Sequence, residues 1–139
     1  AQPVFIQNGF IEYERRMNQF SFYDKEEEES IWVQEMKKSF PKMVNDVFHL
    51  HFNNQKTVYK LGAENSNNKY VWGRNPSQTD VVVRDVANGT VSIQRDVFEQ
   101  TYLIKDSART MQWRITNETR TIAGFECRKA VTVICDSVY

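Results

Sequence analysis

At Pro41 the hydrophobic period of the chain changes from helical to two, and it stays near two almost to the end. Val44, Asp46, Phe48, Leu50 and Phe52 fall on one side of an extended chain; Asn45, Val47, His49 and His51 fall on the other. Successive side chains of a strand point to opposite faces, so this pattern fits a two-faced sheet and not a helix. Asn53-Asn54-Gln55-Lys56 is turn-forming, and Thr57-Val58-Tyr59-Lys60-Leu61 brings the chain back, which makes a hairpin. Asn88-Gly89 joins Asp80–Ala87 to Thr90–Phe98. An Asn-Gly pair accepts the positive φ angles of a tight turn, so a second hairpin is expected there. Gln100 to Lys105 reads as a further strand beyond a bulge near Glu99. Asp106 to Arg109 is a turn before Met111 to Thr116.

Before Pro41 the pattern differs. Gly9 to Gln19 alternates, with Ile11, Tyr13 and Arg15 opposite Phe10, Glu12 and Glu14, and is read as the first strand. Residues 1 to 8 read as an extended arm. Asp24, followed three residues later by Glu27, has the spacing of a capping box. Glu26 to Glu29 then sit where the helix dipole favours carboxylates. Trp32, Val33, Met36 and Phe40 share a face, and Lys37 and Lys38 precede the stop at Pro41. The expected fold class is mainly β (α+β): a curved antiparallel meander of about eight strands with one amphipathic helix near residues 25–39. All of 1–139 is expected to form a single β-rich domain. Gly62 to Thr79, polar and rich in asparagine, is a long surface loop whose apolar island is Tyr70-Val71-Trp72.

Eighteen Lys and Arg balance eighteen Asp and Glu. A nucleic-acid partner is not expected, because such proteins carry a basic excess that replaces phosphate counterions. No apolar run approaches the ~20 residues of a membrane-spanning helix. The opening Ala1-Gln2-Pro3-Val4 resembles the mature end left after signal-peptide removal. If Cys127 and Cys135 share a strand, eight steps of about 3.3 Å separate them by roughly 26 Å. A disulfide needs its two α-carbons within about 7 Å, so they are expected not to bond to each other.

The residues able to carry chemistry each have an ordinary alternative. His49 and His51, two apart on a strand, share a face and are candidate metal ligands if a third donor such as Tyr59 joins them; solvent-facing histidines have the same pattern. Cys127 shares its side with Lys129, but no base accompanies it, so a packed free thiol, or one bridging to something beyond this chain, is expected rather than a nucleophile. Asp80, Asp85, Asp96 and Glu99 lie close along one hairpin, a pattern that charged strand faces also produce. Tyr70 and Trp72 are the candidate binding residues. Two readings stand for them: aromatics that stack on a sugar or enter a protein partner, or a Trp72 that folds back to anchor its loop. No cofactor and no catalytic residue is expected.

Trp113-Arg114-Ile115-Thr116-Asn117-Glu118-Thr119, followed by Ile122-Ala123-Gly124-Phe125-Glu126-Cys127-Arg128-Lys129-Ala130, resembles the GLPGLI family of exported Bacteroidetes proteins. In that family W-K/R-I-T-x-E-T precedes I-x-G-Y/F-x-C-x-K-A. Phe10-Ile11-Glu12-Tyr13-Glu14, Phe48 to Asn53 and Val97-Phe98-Glu99 also fit, so the resemblance covers nearly everything from Gly9. The family continues into an aromatic strand and its naming segment, whereas this sequence reaches Tyr139 as that strand would begin. The resemblance implies an N-terminal portion of an exported, periplasmic or outer-membrane-associated protein. Such proteins are often encoded near TonB-dependent transporters. It implies no activity. The family also looks related to a non-catalytic domain of bacterial peptide N-glycosidases, which keeps a glycan ligand in view. The expected function is therefore non-enzymatic binding of a protein partner, an accessory subunit of an outer-membrane complex, with a carbohydrate-binding module as the alternative.

Overall fold

A computed structural model describes residues 5–135, 137 and 138. Ala1 to Val4, read above as a mature end, and Tyr139 lie outside the described residues. The described residues are mainly β, in one six-stranded and two two-stranded antiparallel sheets. The chain divides into two compact units, Ala1–Ala108 and Arg109–Tyr139. No helix is long and apolar enough to cross a membrane among the described residues.

In the first unit, β1 (Gly9–Asn18), β2 (Met43–Phe52), β3 (Lys56–Leu61), β4 (Val81–Asp85), β5 (Thr90–Val97) and β6 (Gln100–Ser107) form one sheet in sequence order. Every pair is antiparallel. The turns explain why. Asn53 Oδ1 accepts from the N–H groups of Gln55 and Lys56 at 2.9 and 2.7 Å, closing the β2–β3 hairpin. Asp85 accepts from the Asn88 N–H and amide, each at 3.0 Å, which holds the turn ahead of β5.

One reversal differs from expectation. The bulge expected near Glu99 is a two-residue turn, and β6 folds back on β5 with Val97 opposite Gln100. Phe98 and Glu99 both take left-handed backbone, at φ +47° and +65°. Non-glycine residues there cost about 1–2 kcal/mol each, so no turn-residue preference announces the reversal.

The helical segment begins as read. Asp24 Oδ1 accepts from the Glu27 N–H at 2.9 Å, and Glu27 Oε2 accepts from the Asp24 N–H at 3.2 Å. The expected run over 25–39 is divided into α1 (Lys25–Glu28) and α2 (Ile31–Ser39). Ser30 lies between them in extended backbone, donating its hydroxyl to Glu27 O at 2.6 Å. A serine that bonds locally in this way competes with the helical ladder. Val33 is fully buried, Met36 and Phe40 are half-buried, and Trp32 lies at the margin of that face, 49 % exposed.

Phe20, Val33, Val44 and Phe48 are the buried apolar side chains among the described residues. They mark a small core where the end of β1 and the start of β2 meet the helical segment and the asparagine-rich loop. Gln19, itself buried, ties these pieces together. Its amide donates to Pro41 O at 2.7 Å and Lys69 O at 3.0 Å, and its carbonyl accepts from the Val71 N–H at 2.9 Å.

The second unit is built on the hairpin of β7 (Arg114–Ile122) and β8 (Phe125–Val131). Ala123 and Gly124 make its turn with φ +50° and +83°. A Cβ on Gly124 would meet nothing within 4 Å, so glycine is placed there for its backbone conformation and not for space. The two-residue strands β9 (Val133–Ile134) and β10 (Ser137–Val138) pair beyond it. Cys127 and Cys135 are free. They do not share a strand as supposed: β8 ends at Val131, and Cys135 sits at φ +49° after β9.

Candidate functional site

The register of the six-stranded sheet aligns one residue from each strand into a continuous row: Ile11, Leu50, Tyr59, Val82, Ile93 and Ile104. Each is directly opposite the next, so all six occupy one face. Tyr13 and Phe48 extend the row, with the Phe48 and Tyr59 rings stacked at 5.3 Å and Tyr13 edge-on to Tyr59 at 6.3 Å. None of the six row residues is buried; Ile11 and Ile104, at the two ends, are 41 % and 43 % exposed. The corresponding row on the opposite face is Phe10, His51, Val58, Val83, Ser92 and Lys105, which mixes apolar, polar and charged groups. The first face thus carries an uncharged row flanked by Arg84, Arg95 and Asp106, and that row is partly open, whereas the opposite row is mixed.

One end of the uncharged row is closed by a polar network. Asp46, 5 % exposed, accepts from Arg15 Nη2 at 2.6 Å, from Asn68 Nδ2 at 3.2 Å and from the Tyr70 hydroxyl in a short bond. Asn68 also donates to Asn45 O at 2.6 Å. The Arg15 guanidinium lies over the Phe48 ring, 4.9 Å from its centre. The network pins the loop after β3 to β2. Burial, and then the bond to Asp46, raise the Tyr70 hydroxyl above its ordinary pKa of 10.0; burial likewise raises Tyr59. Asp46 sits in an otherwise apolar alternating set, and that mismatch was the sequence signal for a buried charge seeking partners.

Tyr70 and Trp72, paired as candidate binding residues, have separate roles. Tyr70 is half-buried and committed to Asp46, with Arg74 over its ring at 5.5 Å. Trp72 is 75 % exposed. Its indole N–H donates to the Tyr23 hydroxyl at 3.2 Å, and its ring lies 6.5 Å from Trp32, which meets Tyr23 edge-on at 5.5 Å. The loop is therefore anchored through Tyr70, while Trp72 joins Tyr23 and Trp32 in an exposed aromatic cluster. The helical spacing assigned Trp32 to the packed face and gave no sign of this.

His49 and His51 do share a face, but the Phe10 ring lies 4.8 Å from one and 5.0 Å from the other, and their own centres are 6.2 Å apart. His49 Nε2 is 3.3 Å from Glu12 Oε2. Tyr59, considered as a third ligand, stands on the opposite face. No group of three His, Cys, Asp or Glu suited to a metal occurs among the described residues. Gly62 permits the His49 packing: a Cβ there would come within 2.6 Å of Nε2.

The acidic residues of the second hairpin are dispersed. Asp80 accepts both Nε and Nη2 of Arg95, Asp85 holds the Asn88 turn, and Asp96 accepts from Thr101 Oγ1 at 2.6 Å. Cys127 and Lys129 line a shallow hollow on the β7–β8 hairpin, where Lys129 is bonded to Glu118 at 3.0 and 3.1 Å. The chain matches no protein-family model, no curated protein and no solved structure. The residues that carry its resemblance, Trp113 to Ala130, coincide with the β7–β8 hairpin and the residue before it.

Proposed function

We propose that this is an exported cell-envelope protein of the GLPGLI type that acts by binding another protein, without catalysis, through the uncharged row of its six-stranded sheet. The partner suggested by the family resemblance is an outer-membrane assembly of the TonB-dependent transporter kind. The single observation that carries the binding reading is the unbroken row from Ile11 to Ile104. A row of side chains without a charge across six strands, left partly open, has contact with a partner as its simplest use. The Trp113–Ala130 motif supports the family and the compartment. Asp46, Asp80 and Glu118 are engaged with Arg15, Arg95 and Lys129, and Asp85 with the Asn88 turn, which supports binding over chemistry.

Ile11→Glu tests the reading, because Ile11 lies at the open end of the row. Its stability should stay within about 1 kcal/mol of wild type, as for other partly exposed sites. Co-purification of a partner from native membranes should be lost, while Lys60→Glu on the mixed face should retain it. A protein that always leaves those membranes alone contradicts the proposal.

A second reading has its own observation, the exposed Trp72 beside Trp32 and Tyr23. Such a cluster offers flat apolar faces with a polar rim, as a sugar ring requires. Titration with glycans should quench tryptophan emission, and the quenching should disappear in Trp72→Ala. Unchanged emission across a glycan panel removes this reading.

A further inference from the structure

We infer that β6 is a self-association strand, and that two copies of the chain pair antiparallel along their free β6 edges about a two-fold axis at Leu103. Among the described residues the six-stranded sheet ends at β6, which is bonded only to β5, and all eight of its side chains are exposed. The tight Phe98-Glu99 turn makes Val97 and Gln100 a hydrogen-bonded pair. Even-numbered residues of β6 therefore bond inward; the Ala108 N–H, bonded to Gly89 O at 2.7 Å, continues that series. Thr101, Leu103 and Lys105 then direct their backbone N–H and C=O groups to the free edge.

The two sheet edges are not alike. β1 carries Glu12, Glu14, Arg15 and Arg16 along its length, the usual protection against edge pairing. β6 presents the uncharged run Thr101-Tyr102-Leu103-Ile104. Pairing with a second copy must keep each residue opposite one of the same face, and bonding must use the odd-numbered residues. A two-fold at Leu103 satisfies both conditions. It sets Tyr102 of one copy opposite Ile104 of the other, Leu103 opposite Leu103, and Thr101 opposite Lys105. Thr101 is bonded to Asp96 on the next strand, so each Lys105 meets a position backed by a carboxylate. A two-fold at Ile104 would also match odd-numbered residues with one another, but it would oppose Lys105 to Leu103 and Asp106 to Tyr102, setting charged groups against apolar ones. At the Leu103 axis about six backbone hydrogen bonds form, and the apolar rows of the two sheets become one. Phe98, 96 % exposed at the turn, comes alongside the Ser107–Ala108 end of the other copy. This association is a property of the chain by itself and does not depend on the proposed partner.

The test is sedimentation over a concentration series, combined with crosslinking, on the purified chain. Wild type should show a monomer–dimer equilibrium. Leu103→Lys sets two ammonium groups face to face and should weaken the dimer at least about tenfold, with circular dichroism unchanged. In a background with Cys127 and Cys135 replaced by serine, Leu103→Cys should oxidise to a covalent dimer. Directly opposed residues of an antiparallel pair lie about 5.5 Å apart, within disulfide range. Asn88→Cys, in the turn between β4 and β5, should not crosslink. A monomer up to roughly 0.1 mM, where even a weak interface would be populated, overturns the inference. So does a dimer that Leu103→Lys leaves intact, or one that crosslinks through position 88 instead.

Discussion

Phe48→Ala should destabilise the protein by about 3–5 kcal/mol, the range for removing a buried aromatic. Phe48 is 5 % exposed and is one of the four buried apolar side chains among the described residues. It stacks on Tyr59 and also carries the Arg15 guanidinium. Alanine removes both contacts and leaves a cavity between β1 and β3, its neighbours in the sheet. Domains of this size have total stabilities of about 5–15 kcal/mol, so a loss this large removes much of the margin. Urea denaturation should show a greatly lowered midpoint, whereas Phe98→Ala, at the exposed turn, should leave it almost unchanged. Equal effects from the two substitutions would mean that Phe48 is not a core residue.

Asp46→Ala should cost about 3 kcal/mol, near the lower end for breaking a buried charge pair because Arg15 retains 41 % exposure. The loss has several parts. Arg15 is left without its carboxylate, and the Tyr70 hydroxyl and Asn68 amide lose an acceptor. Tyr70→Phe removes one bond and should cost about 1 kcal/mol. Its effect should be largely absent in the Asp46→Ala background, which a double-mutant cycle measures. Additive losses would show that the two side chains do not act together. The alkaline limb follows from the same contacts. A tyrosine whose folded pKa is raised contributes stability in full below about pH 10 and loses it as pH rises through the folded value. The urea midpoint should therefore fall above pH 10, and less steeply in Tyr70→Phe.

The strands and two of the hairpins were legible in the sequence because alternation and asparagine-rich turns act locally. Ile11, Tyr13 and Arg15 against Phe10, Glu12 and Glu14 gave the faces of β1 correctly, and the Asp24–Glu27 capping box is formed as its spacing indicates. What stayed hidden depends on tertiary context. The reversal at Phe98-Glu99 has no turn-residue signature, since pairing of β5 with β6 imposes its backbone. The single helix divides at Ser30 because a hydroxyl bond competes with the ladder, a choice that propensity does not decide. The row across the sheet was not readable at all. Each strand showed its own apolar side, but the alignment of Ile11 with Ile104 depends on five registers at once. Trp72 and Tyr70 looked equivalent in their loop and were separated only by Asp46, whose burial ties one of them down.

Photo-crosslinking in the native cell envelope addresses the role of the uncharged row most directly. Benzoylphenylalanine at position 13 replaces a tyrosine 44 % exposed beside the row. At position 60 it replaces Lys60 on the mixed face of β3. Irradiation should give a discrete covalent adduct to one partner protein from position 13 and none from position 60. The absence of an adduct from position 13, or the same adducts from both faces, would contradict a partner-binding role for the row from Ile11 to Ile104.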